Sequence, residues 1–137
     1  MATTMIRPQN DVAIHRLVAE RKAGHSLPAA FYTSDEVFNL DLDAIFGKQW
    51  IFVASEAEIR EPGDYVTIEF GKTSVIVIRD DDENVQVLHN VCRHRGARIL
   101  QPGSGAVGNL VCGYHQWTYS PEGELIYASA ASETFDK

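Results

Sequence analysis

The chain has 137 residues, 45% of them hydrophobic and 23% charged, a composition typical of one globular domain with a hydrophobic core. Its formal net charge of -7 at pH 7 argues against nucleic acid or an anionic membrane as the main partner. No apolar run approaches the ~18 residues that span a membrane, and the first residues lack the apolar core of a secretory signal. We therefore expect a cytoplasmic protein whose two cysteines serve a metal and not a disulfide.

The first fifty residues carry helical signals. Residues 11–23 place apolar side chains along one stripe and predict a helix, and a proline within 25–34 favours an extended linker there. Ser34 is a suitable N-cap for a short helix, and Asp41 for a second one. We expect residues 1–33 to form a helical arm and linker.

From residue 50 onward the pattern changes to short β-branched or alternating segments, which indicates β-strands. Strands are predicted at 50–54, 64–70, 73–79, 84–90, 106–111 and 124–128. The aromatic residues expected in the core are Trp50, Phe52, Tyr65 and Phe70. The acidic run at 79–83 is interpreted as a solvated hairpin turn, with contact to a basic reductase as the alternative. The expected fold is mostly β: an antiparallel β domain over residues 34–128 behind the helical arm, followed by a loose tail over residues 129–137.

Two short segments concentrate the side chains that soft metals prefer. The first, CRHRGARIL, carries Cys92 and His94, and the second, CGYHQWTY, carries Cys112 and His115. The chain has no other cysteine. The 17 residues between His94 and Cys112 are enough for the chain to run out, turn and return, so that two loop tips meet. Two thiolates and two imidazoles suit a zinc ion or an iron–sulfur cluster.

The mixed composition of each segment favours a [2Fe–2S] cluster over zinc. A cluster with two Cys and two His ligands has both Cys on one iron and both His on the other, so each loop supplies one ligand to each iron. Structural zinc sites more often take like ligands from each element. A zinc-stabilised module without a redox role stays open as an alternative, as do four residues that share no metal. Gly96 and Gly113 should let the loops fold tightly, and Trp117 and Tyr119 should shield the site from water.

The motif CRHRG with CGYHQW resembles the Rieske family, and more narrowly the N-terminal Rieske domain of the alpha subunits of ring-hydroxylating non-haem iron oxygenases. The family form is C-x-H-R-G with C-P-x-H-G-W, and the likeness covers about residues 27–128. The resemblance implies that Cys92 and Cys112 bind one iron and that His94 and His115 bind the other. The residues that it places around these ligands are Arg95, Gly96, Gly113, Gln116 and Trp117.

The sequence departs from the family pattern at two positions. Gly113 stands where proline is usual and Gln116 where glycine is usual, and neither change removes a ligand. The respiratory branch of the family has two further cysteines and a serine at the positions of Ala97, Tyr114 and Trp117. The resemblance therefore implies a low-potential cluster of the oxygenase or ferredoxin kind.

An oxygenase of this family also activates O2 at a mononuclear Fe(II) held by two His and one carboxylate. The remaining histidines, His15, His25 and His89, are scattered ahead of the cluster motif, and structural or exposed roles suit each of them better. That iron is expected only in a catalytic domain that would follow the tail. The chain alone is expected to transfer electrons and not to hydroxylate.

The resemblance also implies partners. These are a reductase or ferredoxin that donates electrons and the catalytic domain of the same or a neighbouring subunit, in a homotrimer when the protein is full length. The expected function is electron transfer within an oxygenase that hydroxylates or demethylates a small aromatic or quaternary-ammonium substrate. A free-standing Rieske ferredoxin is the alternative, against which residues 8–50 count, because such carriers usually lack a helical arm.

Overall fold

The computed structural model describes residues 8–128 and the side chains of residues 14–128. The helices are α1 (Pro8–Ala19), α2 (Ala30–Thr33) and α3 (Asp35–Asp41), and the strands are β1 (Asp64–Phe70), β2 (Thr73–Arg79), β3 (Val85–His89), β4 (Ser104–Ala106), β5 (Leu110–Val111), β6 (Thr118–Tyr119) and β7 (Leu125–Tyr127). The chain divides after Ile51 into two compact units. None of the helices described is long and apolar enough to cross a membrane. The predicted tail, 129–137, lies outside the described residues.

The N-terminal unit contains the predicted arm helix, with different limits. The helix α1 begins at Pro8 and ends at Ala19, before the predicted end at residue 23. The segment predicted as an extended linker contains the helical turn α2, which is preceded by a hydrogen bond from Phe31 N to Pro28 O at 3.0 Å. The prediction of a fully extended linker was wrong, because proline restricts the residue before it and is well tolerated just ahead of a helical turn.

Ser34 caps α3 as predicted. Its Oγ accepts a hydrogen bond from Val37 N at 3.4 Å. The second predicted cap is wrong: Asp41 ends α3 and leads directly into a π-helical turn over Leu42–Phe46, without a side-chain capping bond. Because α3 already supplies carbonyl acceptors to the N–H groups that follow it, no unsatisfied donors remain for Asp41 to cap.

The C-terminal unit consists of two antiparallel sheets, with strand orders β3-β2-β1-β4 and β5-β6-β7. The strand β2 pairs with β1 from Tyr65↔Ile78 to Phe70↔Thr73 and with β3 from Val75↔His89 to Arg79↔Val85. Alternate residues of a strand face opposite sides, so β2 contributes to two clusters. Its residues Ile76 and Ile78 pack with Cys92, Cys112, Leu110, Trp117 and Tyr119, whereas Val77 packs with Ile59 and Val66. The predicted mostly β, antiparallel fold is confirmed.

Two strand predictions need correction. Residues 50–54 form no strand, and Trp50 and Phe52 are exposed instead of lying in the core, whereas Tyr65 packs against the main cluster. A five-residue apolar run does not by itself identify a strand, which needs a partner for its backbone hydrogen bonds. The segment 106–111 is split between β4 and β5, and β6 was not predicted because two residues are too few to show an alternating pattern.

The acidic turn between β2 and β3 is built around a buried carboxylate. Asp80 is 2% exposed, and its Oδ1 accepts hydrogen bonds from the N–H groups of Asp82 at 3.0 Å and Asn84 at 2.7 Å. Gln86 Nε2 donates to Oδ2 at 2.8 Å. The hydrogen bond from Gln86 lowers the pKa of Asp80, and the backbone bonds add to this against the opposing effect of burial. The solvated interpretation therefore holds for the exposed residues 81–83 and is wrong for Asp80.

Replacing Asp80 by Asn should lower the stability of the domain near neutral pH and have a smaller effect in acid. The pKa of Asp80 lies below its ordinary value in the folded state, so the ionised carboxylate stabilises the fold above about pH 4 and this contribution is lost as the pH falls through the folded pKa. Urea unfolding near neutral pH and near about pH 3 measures the difference. Asp81→Asn, at an exposed position of the same turn, is the control and should match the unmodified protein. Equal destabilisation by Asp80→Asn at both pH values would contradict the assignment.

Candidate metal centre

The two Cys/His segments form two loops with similar backbones. Loop 1 (residues 91–98) follows β3, and loop 2 (residues 112–117) connects β5 to β6. The same two backbone hydrogen bonds close each loop, at 2.8 to 2.9 Å: Gly96 N to Cys92 O and Cys92 N to Ala97 O in loop 1, Gln116 N to Cys112 O and Cys112 N to Trp117 O in loop 2. Both loops therefore turn back at their tips in the same way.

The four predicted ligands come together as two like pairs. Cys92 and Cys112 are 2% and 1% exposed and belong to one buried cluster, where the Cys112 side chain contributes to lowering the pKa of Cys92. The ring centroids of His94 and His115 lie 4.7 Å apart, in an edge-to-face arrangement. Each loop contributes one member of each pair. Within residues 8–128, no three or more Cys, His, Asp or Glu side chains are grouped to hold one metal ion. The paired donors fit a [2Fe–2S] cluster whose two irons take unlike ligands.

Hydrogen bonds around Cys92 favour its thiolate, the form that binds metals. Burial by itself raises the pKa of the Cys92 thiol. The Tyr119 hydroxyl, the N–H groups of His94 and Arg95, and the Cys112 thiol outweigh this effect, so the pKa of Cys92 lies below its ordinary value. Arg95 acts on Cys92 through its backbone N–H, and its side chain is exposed.

Tyr119 contacts the candidate ligand directly and does more than shield it. Its hydroxyl accepts a hydrogen bond from Arg93 N at 3.0 Å and lies 3.2 Å from Cys92 Sγ. Burial, with a contribution from Cys92, raises the pKa of Tyr119 to about 12. The phenol therefore stays protonated and can donate to the Cys92 thiolate. No signal in the sequence distinguishes Tyr119 from an ordinary core tyrosine, since the contact depends on how β6 lies against loop 1.

Trp117 joins the two loops. Its indole, on loop 2 and 2% exposed, stacks on the imidazole of His94 on loop 1, with ring centroids 4.7 Å apart and planes 7° from parallel. Burial lowers the pKa of His94, and the charges of His115 and Arg95 act in the same direction. A lowered pKa favours the neutral imidazole, which is the form that binds a metal. Trp117 thus sets the plane of the His94 ring as well as covering it.

The left-handed backbone positions fall on equivalent residues of the two loops. Gly96 adopts φ +72°, as expected for a glycine that makes a tight turn, and Gln116 adopts φ +61° at the matching position of loop 2. Gly113 has no positive φ, and a Cβ added there would meet no atom within 4 Å. The structure therefore needs a permissive residue at position 116 and not at 113.

Replacing Gln116 by Gly should raise the free energy of unfolding by about 0.5–1 kcal/mol, because glycine adopts a left-handed φ without the steric cost that a Cβ brings. Gly96→Ala makes the reverse change at the equivalent position of loop 1. A Cβ at Gly96 would have no neighbour within 4 Å, so only the positive φ should lower the free energy of unfolding, by about 1 kcal/mol. Denaturant unfolding of both cluster-containing variants measures the effects. A loss of stability in Gln116→Gly would show that the glutamine side chain makes a compensating contact.

The comparisons with known proteins identify the family. Residues 49–135 match the sequence model of the Rieske [2Fe-2S] domain. The chain belongs to the Rieske family. Its Rieske domain binds a [2Fe–2S] cluster, and the predicted family, fold and cofactor are thereby confirmed.

The sequence relatives of this Rieske chain are oxygenase subunits. It is 42% identical to the glycine betaine monooxygenase oxygenase subunit of Chromohalobacter salexigens over 121 residues. The matched region is 88% of this chain and 27% of that relative. It is 36% identical over 104 residues to the benzene 1,2-dioxygenase subunit alpha of Pseudomonas putida, covering 76% of this chain and 23% of that one. The chain thus spans about a quarter of the length of these curated relatives.

Solved structures agree with this assignment. The Rieske chain superposes on a quaternary ammonium Rieske monooxygenase bound to gamma-butyrobetaine with a TM-score of 0.74 and 40% sequence identity, over 80% of this chain and 32% of the other.

The remaining three histidines are exposed. His15 lies on α1, His25 in a turn and His89 at the end of β3. None of the three was predicted as a ligand.

Proposed function

We propose that Cys92 and Cys112 bind one iron of the [2Fe–2S] cluster and that His94 and His115 bind the other. The observation that carries this proposal is the sorting of the donors: each loop has one Cys and one His in sequence, but in space the two cysteines share one buried cluster and the two imidazoles contact each other. When bound, the cluster supplies reversible one-electron transfer. The zinc alternative does not account for this sorting into two pairs.

The surrounding residues support an electron-transfer role. The burial of Cys92 and Cys112 and the stacking of Trp117 on His94 exclude water from the thiols and order the imidazole. Hydrogen bonds directed at the Cys92 sulfur stabilise negative charge there, which favours the reduced state. Trp117 has no hydroxyl that could donate a further hydrogen bond to the cluster, unlike the serine of the respiratory branch at this position. We therefore propose a midpoint potential near the lower end of the Rieske range, about -150 mV.

We infer that the chain is the electron-transfer domain of an oxygenase that acts on a small quaternary-ammonium or aromatic substrate. Its relatives include a glycine betaine monooxygenase subunit at 42% identity and a benzene dioxygenase subunit at 36%, and the higher identity favours the quaternary-ammonium class. The solved structure of one quaternary ammonium Rieske monooxygenase gives insights into inter-subunit electron transfer in that protein. By analogy we propose a reductase or ferredoxin as the donor and a catalytic domain of the same or a neighbouring subunit as the acceptor, in a homotrimer, with the Rieske domain over residues 34–128.

The visible and EPR spectra of the purified chain, before and after reduction with dithionite, test the cluster assignment. We expect about two irons and two acid-labile sulfides per chain, an EPR signal only after reduction, and a potential below about 0 mV. A colourless protein that contains zinc and no acid-labile sulfide would refute it. A potential well above about 0 mV would leave the cluster but contradict the oxygenase or ferredoxin class.

The gene separates an oxygenase domain from a free-standing ferredoxin. Its sequence downstream of codon 137 should encode a D-x-x-H-x-x-x-x-H stretch if a mononuclear iron site follows. A stop codon at that point would favour the ferredoxin.

A further inference from the structure

The two cluster loops are closed at their bases by different means. Loop 2 is the end of a strand pair, because β5 and β6 pair directly before and after it, with Leu110↔Tyr119 and Val111↔Thr118 in register. Loop 1 has no such pair within the described residues: β3 ends at His89, and the chain that leaves the loop forms no strand before β4. Another group must therefore hold the two ends of loop 1 together.

The side chain of Asn90 supplies this closure. Its Oδ1 accepts hydrogen bonds from Ile99 N at 3.1 Å and Leu100 N at 2.9 Å, and its Nδ2 donates to Leu100 O at 2.7 Å and Ser74 Oγ at 3.1 Å. These four bonds use both donors and both acceptor positions of the amide. The backbone N–H of Asn90 also bonds to Ser74 O at 2.9 Å. Asn90 is 4% exposed, so the amide takes the place of a neighbouring strand within the protein interior.

The chain that leaves loop 1 is in turn fixed to β1. Thr67 Oγ1 accepts from Gly103 N at 2.7 Å and donates to Gly103 O at 3.0 Å, while Thr67 N bonds to the same carbonyl at 2.8 Å. Arg98 forms an ion pair with Glu69. The exit of the loop is therefore held by the sheet, and Asn90 connects the entry of the loop, two residues before Cys92, to that fixed exit.

We propose that Asn90 is a positioning residue for the cluster, which sets the place of Cys92 and His94 relative to loop 2 by clamping the base of loop 1. The proposal rests on the proposed function, because it takes Cys92 and His94 as ligands. The bonds inside loop 1 link Cys92 with Gly96 and Ala97, so they fix the shape of the tip. Tyr119 and Trp117 contact the tip from β6 and loop 2, and Asn90 fixes its base. Without the clamp the entry of the loop is no longer tied to its exit, and the Cys92 thiol and the His94 ring can shift relative to those contacts.

The test compares cluster retention in Asn90→Ala with that in Val66→Ala. Val66 lies in the other core cluster, so Val66→Ala destabilises the fold without touching either loop. Loss of the visible spectrum in the presence of an iron chelator should be about 10- to 100-fold faster in Asn90→Ala than in the unmodified protein, the range seen when groups that orient metal ligands are removed. The EPR g-values of the reduced cluster should shift in Asn90→Ala and stay unchanged in Val66→Ala.

Two milder variants keep the test decisive if Asn90→Ala does not fold. Asn90→Asp keeps the acceptors for Ile99 N and Leu100 N and loses the donors to Leu100 O and Ser74 Oγ, so its rate of cluster loss should be intermediate. Ser74→Ala removes one outer partner of the amide and should be near the unmodified protein. Cluster loss in the Asn90 variants no faster than in Val66→Ala, with unchanged g-values, would overturn the proposal. Failure of the proposed function is distinguishable, because the unmodified protein would then lack the iron–sulfur spectrum.

Discussion

Replacing Cys112 by Ser should yield a protein without the visible and EPR signals of an iron–sulfur cluster and with almost no acid-labile sulfide. A serine hydroxyl stays protonated near neutral pH and is a hard oxygen donor, whereas this site offers a soft thiolate. Cys112 is 1% exposed and lies in the same buried cluster as Cys92, so the change also leaves a buried hydroxyl among apolar side chains. Cluster binding contributes to the stability of the fold, and the unfolding midpoint should fall as well.

Iron and sulfide analysis with visible spectroscopy measures this effect. Val111→Thr is the control. Val111 ends β5 directly before Cys112 and its side chain is exposed, so this variant should retain the cluster. A Cys112→Ser protein with a full complement of iron and sulfide would show that Cys112 is not a ligand. The pairing of the two thiols would then need another explanation.

Replacing Tyr119 by Phe should lower the midpoint potential by roughly 40–60 mV. The Tyr119 hydroxyl lies 3.2 Å from Cys92 Sγ, and a hydrogen bond to a ligand sulfur stabilises the reduced cluster, which carries one more negative charge. A hydrogen bond contributes about 1–1.5 kcal/mol, and a tenfold change in a one-electron equilibrium corresponds to about 59 mV. The pKa of Tyr119 is raised to about 12, so the phenol remains a donor throughout the accessible pH range.

A redox titration followed by EPR measures the shift. Tyr127→Phe is the matched control. Tyr127 is exposed on β7, so this substitution removes the same hydroxyl group at a position away from the Cys92 sulfur. The Tyr119 variant should also be less stable, since Arg93 N loses its acceptor. An unchanged potential in Tyr119→Phe would mean that the hydroxyl serves only the backbone N–H of Arg93.

Long alternating segments were predicted correctly because their information is local. The strands β1, β2 and β3 each have five or more residues that alternate or are β-branched, and glycine or acidic turns separate them. Residues 50–54 show the limit of such patterns. They are as apolar as a buried strand, but Trp50 and Phe52 are exposed, because a strand exists only where another strand accepts its hydrogen bonds.

The contacts that tune the candidate site could not be predicted from the sequence. Asn90 bonds to Ile99 and Leu100, 9 and 10 residues further along the chain, and Tyr119 lies 27 residues from Cys92, so these bonds have no sequence spacing in common. The positive φ of Gln116 could not be predicted, because glutamine does not favour a left-handed backbone and the turn of loop 2 imposes it. The sequence predicts a solvated charge at Asp80, because composition cannot show that neighbouring N–H groups point at one carboxylate.

The sequence by itself determined the family, the cofactor and the four candidate donors, because the identity and spacing of Cys92, His94, Cys112 and His115 are properties of two short segments. Only the tertiary structure decided which donors meet. Each segment is mixed, and folding places both cysteines in one buried cluster and imidazole against imidazole, because two loops with similar backbones approach each other across one core. Loop 1 is joined to β6 through the Tyr119 hydroxyl, 27 residues from Cys92, and its exit is joined to β1 through Thr67, 36 residues from Gly103. Such contacts are set by packing rather than by local pattern.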